Sequence, residues 1–325
     1  MPGRCIAVSF AGLFTLAGSA FAQDWPTRPL TLVVPYAAGG SVDGNGRTMA
    51  QRMGEVLGQQ VVIENVGGAG GMTGSLRVSR APPDGYQMVI GNLGSHGVNQ
   101  TLYKRPLYNS VTDFTPIGLV NQGLFVLLVR KDFPANTLPE FTAYAKANES
   151  KLQFGSGGAG STTHMVCVLL NMALGLGTTH IPYRGTGPAL QDLVGGRIDY
   201  QCEPLPTALP LIQGNAAKPI ALLARKRSDV VPQIPTAQEQ GLKDFEVLSW
   251  NALFLPKGTP EPIVRRLNTA MSQALDTPWV RERLEKLGLE VPEPAQRTPE
   301  YLATFLESEI KRWAAPIKAS GVSVE

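Results

Sequence analysis

Two glycine-rich segments, each rich in short polar side chains, carry most of the chemistry that this sequence offers. The first runs from Tyr36 to Asp43 and the second from Gly155 to His164. Each follows a short apolar run and precedes an apolar pattern of helical spacing, so each is predicted to join a strand to a helix. Backbone N–H groups at the start of a helix lie at the positive end of its dipole and bind anions. We therefore predict two anion-binding loops, with Ser41 and Asp43 as N-cap candidates in the first.

The elements that must position these loops follow an α/β pattern. β-Branched apolar runs such as Leu30 to Val34 alternate with amphipathic runs such as Met49 to Leu57. This order favours mostly parallel sheets flanked by helices. We expect two lobes, residues 23–122 with 250–325 and residues 123–249, because each would then contribute one loop to a cleft between them. Ligands bind in such folds at the carboxyl ends of the strands.

The N-terminus has the features of a signal peptide. Arg4 precedes an apolar stretch from Ile6 to Ala20, and Ala20-Phe21-Ala22 fits the cleavage rule. A membrane-spanning helix is less consistent with this stretch, which is short and interrupted by hydroxyl residues. We expect residues 1–22 to be removed and the protein to be exported. Removal of Arg4 lowers the net charge from +3 to about +2, too little to indicate a nucleic acid or a membrane surface as partner.

Two of the three cysteines, Cys167 and Cys202, remain once the predicted leader is removed. Both fall near the predicted cleft, one in the helix after the second loop and one at the end of a short strand. In an oxidising compartment an even number of cysteines favours a disulfide. Two separate buried thiols are the alternative that the sequence leaves open, and neither cysteine has a context that would activate a catalytic thiol.

Nucleotide, metal and covalent chemistry are poorly supported. Gly155, Gly157 and Gly160 match a dinucleotide-binding spacing, but the next acidic residue is Asp192, and no phosphate-gripping lysine follows the other glycines. The histidines lack a second ligand at metal spacing. We therefore expect neither cofactor nor metal, and no catalytic set of nucleophile, base and orienting group can be assembled.

Ordered motifs along the mature chain identify it by resemblance. It resembles the extracytoplasmic solute receptors of tripartite tricarboxylate transporters, the Bug or TctC-like family. The similarity rests on Trp25-Pro26, Arg47 and the segments Val33 to Asp43, Glu64 to Gly74, Pro83 to Tyr86, Asp113 to Pro116, Gly155 to His164, His180 to Gly185, Asp192 to Asp199, Pro235 to Glu239 and Pro256 to Pro260. Gly44 and Gly46 depart from the family pattern, and we expect a looser first helix there.

The resemblance implies a two-lobed, flytrap-like periplasmic binding protein that is not an enzyme. Its ligand would be a small carboxylate, such as a di- or tricarboxylate, and its partners would be membrane permease subunits. We expect it to be a monomer. The implied loops and neighbouring positions, together with His164 and Glu203 at element ends near the cleft, give the candidate ligand-binding residues Tyr36, Ala37, Gly39, Gly40, Ser41, Asp43, Asn92, Ser95, Ser156, Gly157, Gly160, Ser161, Thr162, His164, Tyr183 and Glu203.

Two other functions remain open at this point. An exported hydrolase could use Ser161 and His164, although His164 at a helix start is more typical of a hydrogen-bond partner. A ligand sensor for a membrane signalling protein would use the same cleft and differ only in its docking surface. The identity of the carboxylate depends on the far end of the cleft, which the sequence does not define.

Overall fold

The structure is a computed structural model that describes residues 25–325. The predicted signal peptide, residues 1–22, lies outside the described residues. Ten strands form one sheet: β1 Leu30–Val34, β2 Val61–Asn65, β3 Gln87–Asn92, β4 Phe114–Arg130, β5 Gln153–Ser156, β6 Thr179–Pro182, β7 Tyr200–Pro204, β8 Ala217–Leu222, β9 Leu248–Pro256 and β10 Leu289–Glu290.

Helices flank this sheet and connect most of its strands. The α-helices are α1 Ser41–Leu57, α2 Met72–Ser79, α3 Asn99–Leu102, α4 Leu138–Ala147, α5 Thr162–Leu174, α6 Thr186–Val194, α7 Leu205–Gln213, α8 Glu261–Asp276, α9 Pro278–Lys286 and α10 Pro299–Ala319. A further helical turn, Leu93–Val98, follows β3 directly. Within residues 25–325, no helix combines the length and apolar character needed to cross a bilayer.

The strands around β1–β3 and those around β5–β7 pair in parallel, as the sequence pattern predicted, and the strands between them make the whole sheet mixed. The strand order is β2-β1-β3-β9-β4-β7-β5-β6, with β8 and β10 also paired to β4. Strands β1 to β3 pair in parallel, as do β5, β6 and β7, while β4 and β9 make antiparallel pairs with their neighbours. We call the part around β1–β3 the first lobe and the part around β5–β8 the second lobe.

Strand β4 is shared by the two lobes. Its N-terminal part pairs with β9, from Phe114 to Leu124. Its C-terminal part pairs with β7 and β8, from Phe125 to Arg130. The sequence has two apolar runs here, residues 114–120 and 125–129, and they form one strand because Asn121, Gln122 and Gly123 between them pair with β9 after a register shift at Val120. The predicted residue boundaries of the lobes stay a prediction.

Helix α1 packs closely on the first lobe despite its two internal glycines. Met49 and Met53 are fully buried against β1 and α8. A Cβ atom on Gly46 would lie 3.0 Å from Val34 Cγ2, whereas one on Gly44 would have no neighbour within 4 Å. The helix continues without interruption through both glycines. The absence of a side chain at Gly46 lets α1 approach the sheet.

Cys167 on α5 and Cys202 on β7 are joined by a disulfide, one of the two arrangements that the sequence left open. Their Cα atoms lie 5.4 Å apart, and both side chains are fully buried. The bridge ties the helix that follows the second glycine loop to a central strand of the second lobe.

Candidate functional site

A narrow cavity of about 40 Å³ lies between the two lobes, where the first turns of α1 and α5 face each other. Its walls come from both glycine loops, from the carboxyl ends of β3 and β7, and from the shared strands β4 and β9. The lining residues are Tyr36, Gly40, Ser41, Val42, Asp43, Asn92, Phe125, Gly157, Ser161, Thr162, Thr163, Thr186, Pro204, Ser249, Trp250 and Asn251.

Free donors at the cavity come from the helix starts. The first backbone N–H groups of an α-helix have no partner within it. In α1 these belong to Ser41 and Val42, and in α5 to Thr162 and Thr163; all four residues line the cavity. The Ser41 hydroxyl also makes no hydrogen bond to any other described residue. Two helix dipoles and several amide donors are therefore directed at one small space, which favours an anion.

The glycine amides themselves are mostly already hydrogen-bonded, which corrects their predicted role as ligand donors. Gly39 N–H donates to Asp43 Oδ2 at 3.1 Å. Gly157 N–H donates to Thr163 Oγ1 at 2.9 Å, and Gly160 N–H donates to His164 Nδ1 at 3.2 Å. In each case a polar side chain in the following helix turn folds back onto the loop. The glycines shape the turn, and the helix amides beyond it are free.

Asp43 holds the first loop in place. Neither it nor Ser41 is the N-cap, because α1 begins after Gly40 without a side-chain cap. The Asp43 carboxylate accepts hydrogen bonds from Arg47 Nε at 3.0 Å and Asn65 Nδ2 at 2.9 Å, besides the Gly39 amide. Burial alone would raise the pKa of Asp43, but these hydrogen bonds outweigh it and lower that pKa. Asp43 is thus a carboxylate that supports the loop and does not itself donate to an anion.

Asn92 closes the base of the cavity. Its side-chain oxygen accepts the Ser95 amide at 2.9 Å and lies 3.1 Å from the Tyr36 hydroxyl. Tyr36 and Asn92 line the cavity, while Ser95 is fully buried beneath them. Ser95 therefore orients Asn92 and does not face the cavity.

Direct contacts between the lobes surround the cavity. Ala37 N–H donates to Arg184 O at 3.0 Å, and Gly94 N–H donates to Thr162 Oγ1 at 2.7 Å. Tyr103 OH donates to Ala159 O at 3.0 Å. Ala37 belongs to this contact and not to the cavity wall. The two lobes are therefore joined around the cavity by one backbone–backbone hydrogen bond and two that involve a side chain.

Comparison with known proteins identifies the chain. The model of the "Tripartite tricarboxylate transporter family receptor" matches residues 46–322. The chain belongs to this family. The receptor is also similar to solved structures along nearly its whole length, and family members are periplasmic solute-binding receptors rather than enzymes.

Three of those structures are close to the receptor in both sequence and shape. MatC from Rhodopseudomonas palustris with bound malate is 43% identical, with a TM-score of 0.88 over 90% of this chain and 100% of that one. The periplasmic binding protein BugD is 38% identical, with a TM-score of 0.90 over 93% and 100%. R. palustris Rpa4515 with adipate is 34% identical, with a TM-score of 0.88 over 92% and 99%.

The receptor's serine and histidine residues do not form a hydrolase site. Ser161 caps α5 by accepting the His164 amide at 3.2 Å, and the His164 ring accepts the Gly160 amide. Burial lowers the pKa of His164 to about 4, so this ring is neutral. Ser156 pairs with His180 at 2.6 Å, but it is fully buried and does not line the cavity. His164 has the hydrogen-bonding role that its place at the helix start suggested.

Tyr183 and Glu203 of the receptor also lie outside the cavity lining. Tyr183 OH donates to Asp192 at 2.7 Å. Burial, and to a smaller extent the neighbouring Asp192 carboxylate, raise the pKa of Tyr183 to about 12. Glu203 is fully buried and hydrogen-bonded to Gln201 and Thr207. Both residues support the wall that Thr186 and Pro204 present to the cavity.

Glu203 should make the receptor's stability pH-dependent. Burial raises the pKa of Glu203 to about 8, although hydrogen bonds from Thr207, Gln201 and Thr186 lower it. The folded state therefore holds a proton that the unfolded state releases above its ordinary pKa. This contribution of Glu203 to stability is full below about pH 4.5 and falls by roughly 4 kcal/mol as the pH rises to about 8.

Melting temperatures measured from pH 5 to pH 8.5 test this expectation. The Glu203→Gln variant, which has no proton to lose, should gain stability relative to the wild type as the pH rises. Glu307→Gln, on the exposed face of α10, is the matched control, and its melting temperature should follow the wild-type pH dependence. Parallel curves for the wild type and Glu203→Gln would contradict the assignment.

Sequence reasoning missed half of the receptor's cavity lining. The missed residues fall into two groups, those in the helix turns and those on the shared strands and the wall beside them. They are Val42, Thr163, Thr186, Phe125, Pro204, Ser249, Trp250 and Asn251. One signal was available in the sequence. Asn251 is a polar residue between Trp250 and the apolar run from Ala252 to Leu255.

Proposed function

We propose that this receptor captures a small organic acid in the interlobe cavity and delivers it to the permease subunits of a tripartite tricarboxylate transporter. The observation that carries the proposal is the convergence of two helix N-termini on one enclosed space. Four free amides and the Ser41 hydroxyl supply donors for one carboxylate. The malate and adipate bound by two similar proteins support an acid of about this size.

The energetics of such a site are sufficient without a basic side chain. A hydrogen bond to a charged group contributes roughly 1.5–3 kcal/mol. Four such bonds total roughly 6–12 kcal/mol, the same order as the approximately −8 kcal/mol that micromolar binding requires. The family and the leader sequence support action in the periplasm, where cleavage near Ala22 would release the mature receptor.

Calorimetric titration of protein freed of bound solute by partial denaturation and refolding tests the proposal. We expect malate, succinate or adipate to bind with micromolar affinity and to raise the melting temperature. The corresponding dimethyl esters, which lack the charge, should not bind. Uniformly flat titrations with mono-, di- and tricarboxylates would contradict the proposal. Co-purification with the permease subunits in the presence of the bound acid tests the delivery step.

The Ser41→Ala substitution should weaken binding of the acid by about 10- to 100-fold, the equivalent of one hydrogen bond to a charged group. Because the Ser41 side chain neither caps α1 nor bonds elsewhere in the described chain, the melting temperature without ligand should change little. Titration of the variant beside Ser308→Ala, an exposed serine on α10, measures the effect. Equal affinities for both variants would remove Ser41 from the site.

A further inference from the structure

A row of three asparagines crosses the sheet at the wall of the cavity. Asn92 on β3 is the register partner of Asn251 on β9, which in turn is the register partner of Asn121 on β4. Asn92 and Asn251 line the cavity. Asn251 is 4% exposed and Asn121 is fully buried. Three amides in this position are unusual for an otherwise apolar sheet interior.

The amide pair formed by Asn251 and Asn121 is only half hydrogen-bonded. Asn251 Nδ2 donates to Asn121 Oδ1 at 2.8 Å. Asn251 Oδ1 and Asn121 Nδ2 have no hydrogen-bond partner among residues 25–325. A buried polar atom without a partner costs about 1–3 kcal/mol. A ligand group that bonds to this pair would recover that cost.

The pair can present either a donor or an acceptor to the cavity. In the structure, the polar atom of Asn251 that lacks a hydrogen-bond partner is its side-chain oxygen Oδ1, which can accept from a hydroxyl or ammonium group. If both amides rotate by half a turn, Asn121 donates to Asn251 instead, and the Asn251 NH₂ becomes free to donate to a carboxylate. Both arrangements keep one hydrogen bond between the two side chains.

The rest of the described cavity lining offers no cationic side chain for this role. Among the described residues that line the cavity, none is lysine or arginine. Phe125 and Trp250 supply apolar surface beside Asn251, while the free helix amides belong to the first turns of α1 and α5. A second polar group on the ligand, away from those helix starts, would therefore meet neutral side chains, and among the described lining residues Asn251 is the one with a buried polar atom that lacks a partner.

We infer that Asn251 binds the second polar group of the ligand, its remote carboxylate in a dicarboxylate, and that Asn121 is the positioning residue for Asn251. The inference rests on the proposed function, since it assigns the other end of the same ligand. It assigns the preference for diacids over monoacids of equal chain length to this one pair.

Matched acids test the assignment. Adipate and hexanoate share a six-carbon chain and differ in the second carboxylate, as do succinate and butyrate with four carbons. In the wild type we expect each diacid to bind more tightly than its monoacid. The preference is the dissociation constant of the monoacid divided by that of the diacid. In Asn251→Leu this ratio should fall by about 10- to 100-fold. The affinity for the monoacid should stay within threefold of the wild-type value.

Two further variants distinguish loss of the ligand contact from a folding defect. In Asn121→Leu/Asn251→Leu, both partners of the buried bond are replaced by apolar groups, which is nearly neutral for stability when the shapes match. This double variant should show the same loss of preference as Asn251→Leu. Asn136→Ala, an exposed asparagine in the turn before α4, is the control and should keep the wild-type ratio.

A measurement on the wild-type protein completes the test. With asparagine-selective ¹⁵N labelling, the side-chain NH₂ resonances of Asn251 and Asn121 should shift on addition of adipate and stay in place with hexanoate. Unchanged ratios in both leucine variants, or amide shifts that are equal for the two acids, would overturn the inference while leaving the receptor function intact. A wild type that binds none of the four acids would overturn both.

Discussion

The Gly94→Ala substitution should weaken acid binding by about 100-fold while both lobes remain folded. Gly94 lies in the turn after β3 and has no left-handed backbone that would require glycine. A Cβ atom there would lie 2.4 Å from Thr162 N and 3.0 Å from Ser161 C, both backbone atoms of the other lobe. Because backbone atoms cannot move aside as a flexible side chain can, alanine should hold the lobes apart and remove the Gly94–Thr162 hydrogen bond.

Titration with adipate and small-angle scattering measure this effect. We expect a larger radius of gyration for Gly94→Ala in the presence of ligand than for the wild type. Gly44→Ala is the matched control, because a Cβ atom there has no neighbour within 4 Å. It should bind normally and gain about 0.5–1 kcal/mol of stability, since alanine is the better helix former. Wild-type affinity in Gly94→Ala would show that the close approach of the lobes is dispensable.

Loss of the Cys167–Cys202 disulfide should destabilise the receptor by about 2–4 kcal/mol, which corresponds to a decrease of roughly 4–15 °C in melting temperature. The bridge closes a loop between residues 35 positions apart, and that loop contains β6 and α6. Without it the unfolded chain gains conformational freedom. The second lobe, which carries the first turn of α5, should be affected most.

Melting curves with and without a reductant that reaches the buried bridge measure this contribution. The double variant Cys167→Ala/Cys202→Ala should melt near the reduced wild type, apart from a smaller loss of packing. It should also be insensitive to reductant, which makes it the control for non-specific effects. An oxidised and a reduced wild type with the same melting temperature would contradict the expected contribution.

Much of the architecture was accessible from local sequence. The three C-terminal helices α8, α9 and α10 each carry a proline in their first turn, a position that proline favours, so local sequence marks where each of them begins. The strand–loop–helix units around β1 and β5 followed from apolar periodicity. The long strand β4 is not evident from the sequence, because its apolar runs, residues 114–120 and 125–129, are separated by polar and glycine residues, and periodicity does not reveal that Asn121 and Gly123 pair with β9.

The candidate site was predicted in part. The sequence located both loops, and Tyr36, Gly40, Ser41, Asp43, Asn92, Gly157, Ser161 and Thr162 do line the cavity. Three of the predicted glycines do not act as donors, because the amides of Gly39, Gly157 and Gly160 are bonded to Asp43, Thr163 and His164. Whether an amide is free depends on which side chain folds back onto it, and that is a property of three-dimensional geometry.

By itself the sequence determined that this protein carries two glycine loops at strand–helix junctions and the motifs of a solute receptor family. These depend on contacts between neighbours in the chain, so residue type and spacing record them. Only the tertiary structure decided which donors are free, that Gly94 meets Thr162, and that Asn251 lies beside Asn121 at the cavity wall. Such contacts join residues far apart in sequence, and the packing of β4 and β9 between the lobes brings them together.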